Sequence, residues 1–318
     1  MSLLNSLQGS LTGASATRGV LPAPRTGTKE SRRAAVLSRA TQPKAINLKT
    51  GGSLIALVQK IDGRAEPTRF REGYVHLSSL IGGCARAHVL AIKDGMEQHR
   101  QARAAQRIVW AIGRAVEFHV RMSIIEALNF EGVLGQWSCP CRALSHEGWH
   151  RERKCRKCGH LADHYSELAC YDHEARIVGS PDLVLRVDGM LLPIEIKSIA
   201  LKYFDELVEA QAGHLIQVHS YKKLLGPVAA DFGAKGVFDA PAIFYAAKDF
   251  SFKGIPYKEF RVPSSTALES SIRLVWEQAK AIRDAEHTLP KRLTACANCD
   301  APTAKKCPVA VSCFARKG

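Results

Sequence analysis

No run of apolar residues in this 318-residue chain approaches the length of a membrane span, so the expectation is a soluble protein with no membrane partner. Acidic residues are also scarce. Thirty Asp and Glu face 45 Lys and Arg, a net charge of +15 with a pI near 9.5. An excess of that size favours a polyanionic partner, because every phosphate neutralised releases a counterion; the blander reading is solvated surface charge. The scarcity is greatest over residues 1–50, where Glu30 is the single acid and no apolar period is sustained. That composition reads as a flexible basic tail. It is shared by organellar transit peptides, but a tail adding non-specific affinity for DNA is the preferred reading. The start of the chain lacks an apolar core followed by a cleavage site, which argues against secretion and for a reducing, cytoplasmic setting. Its ten cysteines are then expected to ligate metal rather than form disulfides.

From about residue 75 the pattern becomes that of a folded body with 46% hydrophobic residues to bury. A short helix is expected around Cys84, then a long amphipathic one with Ile112, Val116, Val120 and Ile124 along one stripe. Residues 136–170 read as an irregular, basic, cysteine-rich insertion. Three strands are expected in EARIV, DLVLRV and LLPIEIKSI, then a helix from Tyr203 to Leu225 closed by Gly226-Pro227. Two more strands, APAIFYAAK and IPYKEFRV, precede a final helix opened by a capping box of Thr266 and Glu269. The order implies an α/β protein.

The strongest chemistry lies in GSPDLVLRVDGMLLPIEIKS. Asp188-Gly189 between two apolar runs predicts a two-residue hairpin turn. That turn pairs Val187 with Met190 and, stepping outward, sets Asp182 opposite Glu195. Opposed side chains lie about 5 Å apart on one face. Lys197 projects from that same face, while Ile194 and Ile196 point the other way. Facing carboxylates repel unless something offsets them, and oxygen ligands suit magnesium or manganese. Such an ion polarises a phosphoryl oxygen and acidifies a bound water, with Lys197 positioned to orient the water or stabilise charge on the phosphate. The arrangement points to phosphodiester hydrolysis. The competing reading is an exposed salt bridge between Lys197 and one acid, and Pro193 implies an edge or bulge that would shift the register.

With this triplet the chain resembles the PD-(D/E)XK nuclease superfamily, and within it the RecB-type and CRISPR-associated iron–sulfur exonucleases and their phage relatives. Gln217-Val-His-Ser-Tyr221 matches the QxxxY motif of that group, which implies that Gln217 and Tyr221 line the site and contact DNA. Gly113-Arg-Ala-Val-Glu117 matches the helix that carries a further acid, which makes Glu117 the third acidic residue. His119 competes for that role, but two positions turn a helical side chain by about 200°, so it is read as a surface or packing histidine. The resemblance implies a restriction-endonuclease-like core, a mixed central sheet flanked by helices, over residues 75–318. It also implies exonuclease action on single-stranded or duplex DNA ends, in a bacterial or phage-infected cytoplasm, with recombination or CRISPR-adaptation proteins as partners.

The iron–sulfur members use one upstream and three C-terminal cysteines. Cys84 and the set Cys296, Cys299, Cys307 and Cys313 fit a 4Fe-4S clasp of that layout, with either Cys296 or Cys299 supplying the third C-terminal ligand. The alternative is zinc held by the four C-terminal cysteines alone, leaving Cys84 a buried thiol. In the insertion, Cys139, Cys141, Cys155 and Cys158 have the spacing of a zinc ribbon, in which His146 or His150 could replace one cysteine. Arg151, Arg153, Lys154, Arg156 and Lys157 beside them are candidates for DNA contact. Cys170 reads as a spare thiol.

Overall fold

The computed structural model of the protein describes residues 73–93, 104–248, 254–286, 288–296, 298–307 and 309–316, all within one compact unit of residues 58–318. The basic tail expected over residues 1–50 lies outside the described residues. Strand β1 (Val75–His76) leads into α1 (Leu77–Leu80), α2 (Ala85–Lys93) and the long α3 (Ala104–Ala127). Then come β2 (Val133–Ser138), β3 (Ser145–Trp149), β4 (His164–Ser166), β5 (Cys170–Asp172) and β6 (Ile177–Gly179). The hairpin β7 (Leu183–Val187) and β8 (Met190–Ile199) follows, then α4 (Leu201–Asp205) and α5 (Ala212–Leu225). The chain continues through β9 (Ala242–Ala247), β10 (Tyr257–Arg261), α6 (Thr266–Arg283), α7 (Pro302–Lys305) and α8 (Ala310–Ala315). No helix among the described residues is long and apolar enough to cross a membrane.

Seven strands form a mixed central sheet in the order β10-β9-β8-β7-β2-β3, with β4 also on β2, while β1, β6 and β5 form a small second sheet. Strand β8 runs parallel to β9 and antiparallel to β7. It is buried without interruption over residues 191–196, as expected of a strand covered on both faces. Helices α3 and α5 pack against it. The main core joins Val184 and Leu191 of the hairpin to Val218, Leu224 and Leu225 of α5 and to Val275 and Trp276 of α6.

The hairpin has the expected register. Val187 pairs with Met190 and Leu183 with Ile194, with no residue inserted at Pro193, which sits opposite Val184. Asp188 and Gly189 both take positive φ, 51° and 79°, the conformation that matches the twist of flanking strands. In such a hairpin the pairs that exchange backbone bonds fall at 190, 192 and 194, so the nitrogen of Pro193 faces β9. The ladder to β9 begins only at Ile194, so the missing donor leaves no gap.

Elsewhere the expectations need correction. The segment 136–170 is not irregular throughout, since Gln136–Ser138 of β2 pair with β3 and β4, and β2 enters the central sheet just before it by pairing Val133 with Leu185 and Leu134 with Val184. EARIV ends in a strand as expected, β6, which belongs to the small sheet. The helix expected from Tyr203 to Leu225 breaks between α4 and α5. There Lys258 Nζ donates to the carbonyls of Phe204 (2.5 Å) and Leu207 (3.0 Å), and the Gln211 N–H goes to the Tyr245 hydroxyl at 3.1 Å. Side chains thus take the backbone groups a continuous helix would have used. Ser265, one residue before Thr266, caps α6 by accepting from the Leu268 N–H. The buried stripe of α3 holds Val120 as expected, with Val116 and Ile124 half-buried, and departs from the expected one at Ile112, which is 46% exposed while Gly113 faces inward.

Candidate active site

Asp182 and Glu195 come together where β7 begins and β8 crosses the middle of the sheet. Asp182 immediately precedes Leu183, whose partner is Ile194, so the next step of the register faces Glu195. Asp182 Oδ2 accepts the Ile196 N–H at 2.7 Å. Glu195 is only 2% exposed and pairs with the Lys197 ammonium. A carboxylate so buried excludes the reading of a solvent-facing salt bridge. On the other side of β8, Lys197 lies opposite Tyr245 of the parallel ladder.

Glu117 reaches the same strand from α3. Its Oε1 accepts from the Ser198 hydroxyl at 2.9 Å and from the Ser198 N–H at 3.2 Å. The glycine four residues earlier makes this possible, because a Cβ on Gly113 would come within 3.0 Å of Ser198 Oγ and 3.1 Å of Lys248 Nζ. His119 is exposed. On α5 the Gln217 amide donates to the Tyr221 hydroxyl at 2.7 Å. Tyr221 is itself buried, packed on Gly179, where a Cβ would come 2.9 Å from its ring. Of the two, half-buried Gln217 is the more accessible, and Tyr221 holds its amide.

Four contributors went unread in the sequence: Arg121, Glu167, His214 and Tyr245. Arg121 bonds Glu167 at 2.6 Å and lies 3.6 Å from Asp182 Oδ1. Arg121 is one helical turn beyond Glu117, a spacing that could have flagged it; Glu167, in a loop, carries no such signal. His214, three residues before Gln217, meets the Tyr245 hydroxyl at 2.8 Å. Its pKa falls to about 4 through burial and then the nearby Lys197 charge, which keeps the imidazole neutral.

Burial, then the charges of Glu195 and Glu167, raise Asp182 well above the carboxylate range. Burial raises Glu195 to about 7, although Lys197 opposes it. Lys197, despite the desolvation of its ammonium, is held above its ordinary value by Glu195, Asp182 and Glu117. Because the folded value for Glu195 exceeds the ordinary 4.5, the stabilisation from its protonated form is complete below about 4.5 and is lost as pH climbs through about 7. A divalent ion held by Glu195 would have to displace that proton. The thermal stabilisation by Mn2+ is therefore expected to grow as pH rises from about 5 to about 7, measured by calorimetry with and without the ion. A shift independent of pH over that range would contradict this.

In the β2–β4 region the sulfurs of Cys139, Cys141, Cys155 and Cys158 all lie within 4.8 Å of one another. Cys139 and Cys141 are 3.4 Å apart, and Cys141 and Cys155 3.7 Å. Tetrahedral zinc with bonds of about 2.3 Å sets sulfurs about 3.8 Å apart, so the four can hold a metal ion. Hydrogen bonds from the backbone and side chain of His160 pull the Cys158 thiol down to about 6. Against a bond from the Ala143 N–H, neighbouring Cys139 and Cys158 push Cys141 up to about 12. Neither His146 nor His150 joins the group; His150 instead packs between Phe130 and Trp137, with ring centroids 4.9 and 4.6 Å away. A cleft of about 480 Å³ beside β3, lined by Arg151, Arg153 and Arg186 with Glu147 and Asp231, is not lined by Asp182, Glu195, Glu117 or Glu167.

The C-terminal cysteines approach α2. Desolvation and then the neighbouring Cys84, Cys307 and Cys313 raise the Cys296 thiol. Cys299 is exposed and is not among them. Buried Arg86 of α2 ties the segment down through the carbonyls of Pro290 (3.0 Å) and Arg316 (2.7 Å). Cys170 is apart, buried, and raised by desolvation to about 12.

The sequence matches no family model and no curated protein. Among solved structures the chain is similar to an alkaline exonuclease (LHK-Exo) from Laribacter hongkongensis. The identity is 18%, the coverage 68% of this chain and 90% of that one, and the TM-score 0.37.

Proposed function

We propose that this protein is a PD-(D/E)XK deoxyribonuclease that uses Mg2+ or Mn2+ to hydrolyse DNA phosphodiesters. The observation that carries the reading is buried Glu195 facing half-buried Asp182, with Lys197 beside them and both carboxyls pushed upward. Such a pair has a chemical reason to persist only if a cation joins it. Asp182 and Glu195 are the residues that would hold that cation, assisted by Glu117. When bound, the ion polarises the phosphoryl oxygen and acidifies water. Lys197, charged at neutral pH, orients the attacking water and stabilises charge on the phosphate. Neutral His214 and the Gln217 amide, fixed by Tyr221, offer hydrogen bonds to the DNA backbone. The basic surface draws DNA in, and attack at its ends is the preferred mode. Cys139, Cys141, Cys155 and Cys158 hold zinc in this reading, while Cys84, Cys296, Cys307 and Cys313 hold an iron–sulfur cluster.

The test is degradation of linear duplex and single-stranded DNA by anaerobically purified protein in Mg2+ or Mn2+. Lys197→Ala is expected to lower the rate on the order of a thousandfold with the fold intact, since each 1.36 kcal/mol of transition-state stabilisation is tenfold. Undiminished cleavage by that variant would remove the assignment. Nicking of closed circles would replace the exonuclease with an endonuclease.

A further inference from the structure

Arg121 has no part in the chemistry above, yet its guanidinium spans two acids of the site. It bonds Glu167 at 2.6 Å and stands 3.6 Å from Asp182 Oδ1. It is also held in place. Its side chain is 16% exposed and its guanidinium lies 5.7 Å from the Tyr165 ring and 5.9 Å from the Phe118 ring. Tyr165 in turn donates its hydroxyl to the Asp182 carbonyl at 3.2 Å. Lys197, the other cation, belongs to Glu195.

Asp182 therefore has two neighbours of like charge, Glu195 and Glu167, and each of those carries its own cation. Two carboxylates around a third are also what a pair of divalent ions about 3.5–4 Å apart would bridge. Here the Glu167 side of Asp182 is already taken by a group that cannot lose its proton and has five N–H donors, with its Nε unpartnered. We propose that Arg121 takes the electrostatic place of a second metal ion, so that the site operates with one divalent cation and one guanidinium. This rests on the nuclease reading above. The planar fork suits phosphate as well as carboxylate, so it supplies the positive charge that a second ion would bring to the substrate.

The experiment is a Mn2+ titration of the full chain, carrying its cysteine-bound metals, followed by electron paramagnetic resonance. Asp182→Asn serves as the blank. The wild type is expected to bind one more Mn2+ than the blank, with the signal of an isolated ion. Arg121→Met is expected to bind two with a spin-coupled signal, and Arg121→Lys to remain at one. Two coupled ions in the wild type would overturn the proposal and leave the nuclease reading standing, and a single ion in folded Arg121→Met would do the same. No Mn2+ above the blank in any variant would overturn the metal-site reading itself, and this proposal with it.

Discussion

Asp182→Asn is expected to lower DNA hydrolysis on the order of a thousandfold while raising the melting temperature of the metal-free protein at about pH 8 by about 3 °C. The two effects have one origin. At that pH Asp182 is a half-buried carboxyl crowded by Glu195 and Glu167, and desolvation does most to raise its pKa. A neutral amide removes the repulsion yet keeps an oxygen to accept the Ile196 N–H, now bonded at 2.7 Å. What it removes is the ligand. Mn2+ should therefore stabilise the wild type and leave the variant unmoved, reversing their order. The measurement is calorimetry with chelator and with Mn2+, beside a DNA-degradation assay. A variant less stable than the wild type in chelator would mean that Asp182 serves the fold, and that its facing of Glu195 is incidental.

Removing metal from the β2–β4 region is expected to have the largest effect on stability. Structural zinc contributes on the order of 10 kcal/mol in small modules, and the segment around Cys139 to Cys158 is too polar to hold itself together. Strand β2 carries fully buried Trp137 and continues the central sheet through β7. The loss should therefore spread beyond the cysteines. Cys155→Ser, or exhaustive chelation, is expected to lower the melting temperature by more than about 10 °C and to red-shift the tryptophan emission. Trp149, whose indole N–H bonds the Phe232 carbonyl at 2.8 Å, reports the detachment of β3. The wild type should carry one zinc at this site, counted by elemental analysis. Unchanged emission and melting in Cys155→Ser would mean that the four thiols lie close together without a metal.

The site was legible where its chemistry is local. Asp188-Gly189 specifies a turn with positive φ at both positions, and a two-residue turn leaves no freedom in the pairing beyond it. That is why Asp182, Glu195 and Lys197 could be placed from a count along the chain. Gly113 and Glu117 were legible for a similar reason, four residues on one helix being about a turn apart. The cysteine spacings near residue 150 announced a group able to hold a metal because ligands close in sequence need little of the fold to meet.

What the sequence by itself determined, then, is the hairpin, its facing acids and the cysteine group, each set by neighbours within a few residues to about twenty. Only the tertiary structure decided the rest. The parallel ladder from β8 to β9 carries Tyr245 to Lys197 and so brings His214 to the site. The closing of the C-terminus on α2 joins Arg86 to the carbonyls of Pro290 and Arg316. The packing of α3 against β8 joins Arg121 to Glu167 and Asp182. These contacts link positions dozens to hundreds of residues apart, where no backbone period ties one side chain to another. They exist because the apolar faces of α2, α3 and α5 have to be buried somewhere, and the shape of the core chooses where.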